Sequence, residues 1–129
     1  DNRPVNPERL RKSIGAENTF SNDLTTVQQV KEELLRIAQT VSNRVNVANT
    51  SGRTITIKIK YADFQQITRS RTVNYNIKYL NDIELLSEEL FTELSLSRFA
   101  IRLLGISISN LNNIKKVTST DNLQLTLDF

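Results

Sequence analysis

Basic side chains between positions 53 and 71 are the residues of this sequence with the clearest chemistry to offer. They are Arg53, Lys58, Lys60, Arg69 and Arg71, with the hydroxyl residues Thr54, Ser70 and Thr72 among them. Such cations and hydroxyl groups bind phosphate oxygens and displace counterions from a nucleic-acid backbone. The same residue types also suit a solvated sheet face, and composition alone slightly favours that second interpretation.

Residues suited to catalysis are missing. The 129 residues contain no Cys and no His, which removes thiol nucleophiles, the commonest zinc ligand and the commonest general base. The aspartates are scattered, and the adjacent Glu88 and Glu89 diverge by about 100° on a helix. The three glycines are isolated and form no phosphate-binding loop. We therefore expect this fragment to be noncatalytic and to hold no cofactor or metal.

Charge is divided unevenly along the chain. The net charge is only +3, but residues 51–80 carry six Lys or Arg against one acid, and residues 81–97 carry five acids and no base. A folded domain would then have a positive and a negative side. No apolar run approaches the roughly 18–20 residues of a membrane span, and the lack of Cys fits the cytoplasm. The length favours one domain, and the absence of an initial Met suggests a fragment.

Strands and helices must position the basic residues. Apolar periodicity predicts six such elements, four strands and two helices. We expect strands at residues 11–20, 53–61 and 102–109, with a further strand after a corner at Ala62 and Asp63 that runs through Arg71. Helices are expected at residues 24–45 and 82–94. The order β-α-β-β-α-β is typical of an α+β split β-α-β fold, with a four-stranded antiparallel sheet and two helices on one face.

Capping signals are present at both helix starts. The first helix is predicted to be capped by Asp23, or by Thr25 with Gln28, and the second by Asn81 with Glu84.

Two strand positions need an explanation. Gly15 either weakens the first strand or marks the close approach of another backbone. Apolar Ile67 and Val73 share a parity with Arg69 and Arg71, so one face cannot bury all four. A bulge or strand end between them would resolve this conflict.

Two helices can cover only one face of a sheet, so the other face must meet water or a partner. The residues predicted there are small and polar with two lysines: Ser13, Gly15, Thr19, Thr54, Thr56, Lys58, Lys60, Ser107 and Ser109. We expect this face to form a cationic surface for phosphates, with Arg69 and Arg71 directed toward it.

Four sequence segments together resemble a known family. They are Arg11-Lys12-Ser13-Ile14-Gly15 with Thr19-Phe20, residues 58–64, residues 68–72, and Arg102-Leu103-Leu104-Gly105-Ile106. In this order they resemble the little finger domain of Y-family translesion DNA polymerases of the bacterial polymerase IV branch, over residues 9–110.

The resemblance implies a module in the major groove of primer–template DNA that contacts mainly phosphates. The residues it suggests, together with those of the polar face, are Arg11, Lys12, Ser13, Arg53, Thr54, Lys58, Lys60, Arg69, Ser70, Arg71 and Thr72. It also implies catalytic domains of the parent chain, with Mg²⁺ in the palm and none in this fragment. Residues 1–10 would be the linker from the thumb, and residues 11–110 the little finger domain.

The end of the chain, residues 111–129, is predicted to be a flexible tail that carries a docking peptide. Its last six residues, Gln124-Leu125-Thr126-Leu127-Asp128-Phe129, resemble the peptide by which bacterial polymerases bind the sliding clamp. Gln124, Leu125, Leu127 and Phe129 are the expected contacts, because a polar rim contact and apolar anchors suit a pocket.

The sequence therefore predicts a DNA-binding domain with a clamp-binding tail. One alternative is a free-standing split β-α-β domain that binds a protein. Another is a reader of single-stranded nucleic acid, although the predicted sheet face lacks the aromatic residues typical of such readers.

Overall fold

The structure is a computed structural model that describes residues 13–94 and 99–111. Its elements follow the predicted order β-α-β-β-α-β. They are β1 (Ser13–Leu24), α1 (Val27–Val47), β2 (Gly52–Tyr61), β3 (Gln66–Ile77), α2 (Leu80–Glu93) and β4 (Ile101–Ser109). The strands form one sheet in the order β1-β4-β2-β3, and every neighbouring pair is antiparallel. The predicted α+β fold class is confirmed.

Alternating β-branched residues place one face of the sheet in the core. Ile55, Ile57 and Ile59 of β2 are buried, whereas the residues between them are half-buried. From α1, side chains at helical spacing pack on the same core (Val30, Leu34, Ile37, Ala38, Val41 and Val45), and α2 contributes Ile83, Leu86, Leu90 and Phe91. Both helices therefore cover one face and leave the opposite face of the sheet open.

The start of α1 lies later than predicted. Thr26, not Asp23 or Thr25, is the N-cap, and its Oγ1 accepts a hydrogen bond of 3.1 Å from the Gln29 main-chain N–H. The Gln29 side-chain oxygen accepts from the Thr26 N–H at 3.2 Å, which completes the capping box. The predicted start was wrong because Leu24 fits both the helical stripe and the strand alternation, and it ends β1 as a buried residue.

The start of α2 was also predicted wrongly. Tyr79 is its N-cap and makes no capping hydrogen bond through its side chain. Asn81, which was expected to cap, lies inside the first turn, so the predicted capping box with Glu84 does not form.

Gly15 lies where two strands approach closely, which is one of the two roles predicted for it. A Cβ atom at this position would lie 2.7 Å from the Ile106 carbonyl oxygen and 2.8 Å from the Ser107 Cβ. Both atoms belong to β4, which pairs with β1 at this point. A side chain at residue 15 would therefore push the two strands apart.

Candidate nucleic-acid interface

The uncovered side of the sheet, which we call the open face, is built from four rows of paired residues. The strand registers place side chains from β1, β4, β2 and β3 next to one another in each row. The rows are Ser13–Ser109–Thr54–Thr72, Gly15–Ser107–Thr56–Ser70, Glu17–Gly105–Lys58–Thr68 and Thr19–Leu103–Lys60–Gln66. Apart from Gly105 and Leu103, these residues are exposed or half-buried.

The first two rows consist of hydroxyl residues and one glycine. The hydroxyls of Thr54 and Thr72 lie 2.8 Å apart, and those of Thr56 and Ser70 lie 2.7 Å apart. The Asn110 side-chain amide donates to Thr54 Oγ1 at 3.1 Å. These contacts hold the hydroxyl groups in place on a surface of small side chains. Such a surface can admit a phosphate backbone closely, because hydroxyl and amide groups donate hydrogen bonds to phosphate oxygens.

A cluster of two cations and an aromatic ring lies beside the fourth row. Lys60 Nζ lies 5.6 Å from the centroid of the Phe64 ring, and Arg102 Cζ lies 4.9 Å from it. Phe64 is 64% exposed and adopts a left-handed backbone with φ of 70° in the turn between β2 and β3. The ring holds both positive charges at one end of the open face.

Arg69 and Arg71 do not lie where they were predicted. Their Cα partners on β2 are Ile57 and Ile55, whose side chains point into the core, so both arginines extend from the helix-facing side of β3. The strand register is regular through Thr72 and shifts only beyond it, so no bulge turns the arginines over. The edge position of β3 lets them remain accessible on that side.

Arg71 is held by the second helix. Its guanidinium Nη1 donates to Glu89 Oε1 at 2.7 Å, and Nη2 pairs with Glu93 Oε2. Two carboxylates thus neutralise the positive charge that the sequence predicts for phosphate binding. The paired arginine instead connects the edge strand to α2.

Arg69 is exposed on β3, and its charge acts on the Tyr61 side chain at the end of β2. The pKa of the Tyr61 phenol is raised, chiefly because the phenol is partly buried. The positive charge of Arg69 lowers this pKa, and the Asp63 carboxylate raises it. Within the part of the chain that the structure describes, no ion pair is formed by Arg69. Its charge is therefore available to a ligand at the β3 edge.

The other residues predicted to bind DNA or the clamp are partly described by the structure and partly outside the described residues. Ser13, Thr54, Lys58, Lys60, Ser70 and Thr72 meet on the open face, and Arg53 is exposed at the start of β2. Arg11, Lys12 and the tail residues Gln124, Leu125, Leu127 and Phe129 lie outside the described residues.

Two charged residues at the open face were missed by sequence reasoning. Glu17 shares the parity of Ser13 and Thr19, and this signal could have placed it on the face. Its carboxylate pairs with Lys58 Nζ at 3.0 Å. No pattern in the sequence places Arg102 on the open face. The register between β2 and β4 shifts next to Arg102, and there its guanidinium lies over the Phe64 ring.

Two specific features do not occur in residues 13–94 and 99–111. No three His, Cys, Asp or Glu side chains there are grouped to hold a metal ion. No helix of the same residues is long and apolar enough to cross a bilayer.

Comparison with known proteins finds relatives for nearly the whole chain. The impB/mucB/samB family C-terminal domain matches residues 11–127. A DNA polymerase IV from Clostridium perfringens is 39% identical over 128 residues, with 99% of this chain and 35% of the relative covered. DNA polymerase IV 2 from Agrobacterium fabrum is 37% identical over 127 residues, with 98% of this chain and 36% of the relative covered. The chain thus spans about a third of the length of these curated relatives.

Solved structures share the fold at lower identity. A Y-family DNA polymerase chimera, Dbh-Dpo4(243-245)-Dbh, superposes with a TM-score of 0.72 at 21% identity, covering 87% of this chain and 32% of that one. A complex described as the beta-clamp processivity factor and the little finger domain of PolIV gives a TM-score of 0.66 at 18% identity. It covers 90% of this chain and 96% of the solved one.

Proposed function

Because this chain belongs to the impB/mucB/samB family of C-terminal domains, we propose that it is the DNA-binding little finger domain of a polymerase IV-type translesion DNA polymerase. In this proposal the domain grips the primer–template duplex by phosphate contacts in the major groove and is noncatalytic by itself. Catalysis and its magnesium ions belong to a palm domain of the parent chain, and residues 1–10 form the linker from the thumb.

The observation that carries the proposal is the composition of the open face. Its first two rows present hydroxyl groups on a low surface, and Lys60 of the fourth row lies with Arg102 in a cationic cluster over the Phe64 ring. Hydroxyl donors fix the position of a phosphate backbone, and cations supply affinity through counterion release. Neither kind of contact reads bases, which suits a domain that must hold damaged and undamaged duplex alike.

The edge strand β3 extends this surface. One side of an edge strand carries unpaired main-chain N–H groups, which can donate to phosphate oxygens. Ser70 and Thr72 flank this edge on the open face, and Arg69 flanks it on the other side. A phosphate at the edge could therefore meet main-chain amides, hydroxyls and the Arg69 guanidinium together.

Salt dependence of duplex binding tests the proposal. Fluorescence anisotropy with a labelled 20-base-pair duplex, between 50 and 200 mM salt, should show weak binding that is independent of base sequence and fades with salt. Arg69→Ala should reduce the log–log slope by about 0.9, because one phosphate contact is lost. Arg36→Ala is the matched control, since Arg36 lies on α1 and pairs with Glu33 at 2.9 Å.

Other outcomes of this titration would favour the alternatives. Stronger binding of single strands than of duplex would indicate a single-strand reader. Absence of duplex binding at 50 mM salt would leave the protein-binding domain as the better interpretation.

The tail supplies the second half of the proposal. We place Gln124, Leu125, Leu127 and Phe129 in contact with a sliding clamp, so that the tail holds the ring while the domain holds DNA. The solved complex of a little finger domain with a beta-clamp supports an association of this type. Clamp and chromosome share the bacterial cytoplasm, so the proposal includes a cytoplasmic location.

Removal of the last three residues tests the tail. A chain lacking Leu127–Phe129 should lose binding to an immobilised bacterial sliding clamp and keep the duplex affinity of the full chain, because none of the proposed DNA contacts is among the deleted residues. Alanine at Thr126 and Asp128, which lie between the proposed anchors, is the control and should retain clamp binding. Undiminished clamp binding after the deletion would contradict the tail assignment.

A further inference from the structure

An ion pair lies across the middle of the open face. Glu17 of β1 and Lys58 of β2 are both register partners of Gly105 on the intervening strand β4. Residues two strands apart have Cα atoms separated by about 10 Å, yet Lys58 Nζ and Glu17 Oε1 lie 3.0 Å apart. The two side chains therefore reach toward each other over Gly105.

Gly105 provides the space for this arrangement. A Cβ atom at residue 105 would lie 3.1 Å from Glu17 Cβ and 3.5 Å from Glu17 Oε1. A Cβ atom there would press on Glu17 Cβ and so disturb the side chain whose carboxylate faces Lys58. The absence of a side chain at 105 thus lets the pair lie flat on the sheet.

The pair places a negative charge inside the surface proposed for phosphates. It separates the two hydroxyl rows from the cationic cluster of Lys60, Arg102 and Phe64. Glu17 is 51% exposed and Lys58 is 37% exposed, so the carboxylate faces the side from which DNA would approach. Salt and a competing phosphate can readily weaken a pair that is so accessible to solvent.

We propose that Glu17 limits the affinity of the open face for duplex DNA by neutralising Lys58 and repelling phosphates from the third row. This inference rests on the proposed function, and it assigns Glu17 a tuning role. The phosphate backbone is then directed to the hydroxyl rows and the β3 edge. Weak binding of this kind would let a polymerase domain release the duplex as synthesis advances.

Duplex binding by the Glu17→Gln variant of the whole 129-residue chain tests this role. The substitution removes the charge at nearly constant shape, so Lys58 becomes free to neutralise one phosphate. The log–log salt slope should steepen by about 0.9, which makes the ratio of affinities at 50 and 200 mM salt roughly 3.5-fold larger. Affinity at 50 mM salt should rise.

Two comparisons separate a local effect from a general change in charge. Glu33→Gln removes an acid that is also in an ion pair, but on α1, and it should leave the slope unchanged. In a Lys58→Gln background, Glu17→Gln should no longer steepen the slope, because the freed cation is absent. Glu17→Thr introduces the residue type found at Thr19 on the same face. It should repeat the effect of Glu17→Gln.

The outcomes distinguish this inference from the proposed function. If the wild-type chain binds duplex with a salt-dependent affinity but Glu17→Gln and Glu17→Thr bind with the same slope or more weakly, the role of Glu17 is wrong and the proposed function stands. If neither the wild-type chain nor Glu17→Gln binds duplex at 50 mM salt, both are overturned.

Discussion

Arg71 joins the edge strand to the second helix, because its guanidinium is paired with both Glu89 and Glu93. Its side chain is 31% exposed and the two carboxylates are 47% and 54% exposed. Solvent screens such pairs, and each contributes about 0–1 kcal/mol. The aliphatic part of Arg71 adds packing against the helix.

The Arg71→Ala variant should therefore lower the free energy of unfolding by about 1 kcal/mol in a urea titration. Arg69→Ala, the matched change on the same strand, should lower it by less than about 0.5 kcal/mol, because within residues 13–94 and 99–111 no ion pair involves Arg69. The log–log salt slope of duplex binding should change more in Arg69→Ala than in Arg71→Ala. Equal loss of stability in the two variants would contradict the assigned role of Arg71.

Individual residues of the open face were predictable to the extent that alternation determines their side. Thr54, Thr56, Lys58 and Lys60 alternate with isoleucines, and a local pattern of period 2 is enough to place them. The partner of each residue was not predictable. The contact of Glu17 with Lys58 depends on the register of three strands, and that register arises from pairings far apart in the chain.

At the scale of elements, β1 depends on the small size of Gly15. The contacts that a Cβ would make there involve the main chain of Ile106 and the Cβ of Ser107, and neither atom can move without moving β4. Overpacking of this kind typically costs about 1–3 kcal/mol.

Gly15→Ala should reduce stability by about 1–3 kcal/mol in chemical unfolding. Ser13→Ala, on the same strand and exposed, should change it by less than about 0.5 kcal/mol. Wild-type stability in Gly15→Ala would mean that β1 and β4 are farther apart than these contacts require.

All six elements could be predicted because apolar periodicity is a local signal, whereas their ends were less predictable. Leu24 satisfies both the helical and the strand pattern, and only its burial at the end of β1 decides between them. The parity conflict on β3 was real, and the register shifts only beyond Thr72, so the expected irregularity does not separate Ile67 from Arg69 and Arg71. An edge strand needs no bulge to accommodate Arg69 and Arg71, since the helices do not fully cover that edge and α2 supplies carboxylates.

At the scale of the whole molecule, charge separates the two sides of the domain. The open face and its ends carry Lys58, Lys60 and Arg102, whereas all five acids of residues 81–97 lie on α2, which packs against the covered face. This separation orients the domain toward a polyanion at long range. Glu17 is the exception on the open face, and that exception is the basis of the tuning role proposed above.

Mapping the DNA contact surface residue by residue tests the central claim most directly. In ¹H–¹⁵N correlation spectra of the chain titrated with a 12-base-pair duplex at low salt, amide shifts should concentrate at Thr56, Ser70 and Ser107. Gln39 on α1 and Glu84 on α2 should remain unchanged, and 500 mM salt should reverse the shifts. Shifts concentrated on the two helices, with the amides of the open face unmoved, would contradict the account.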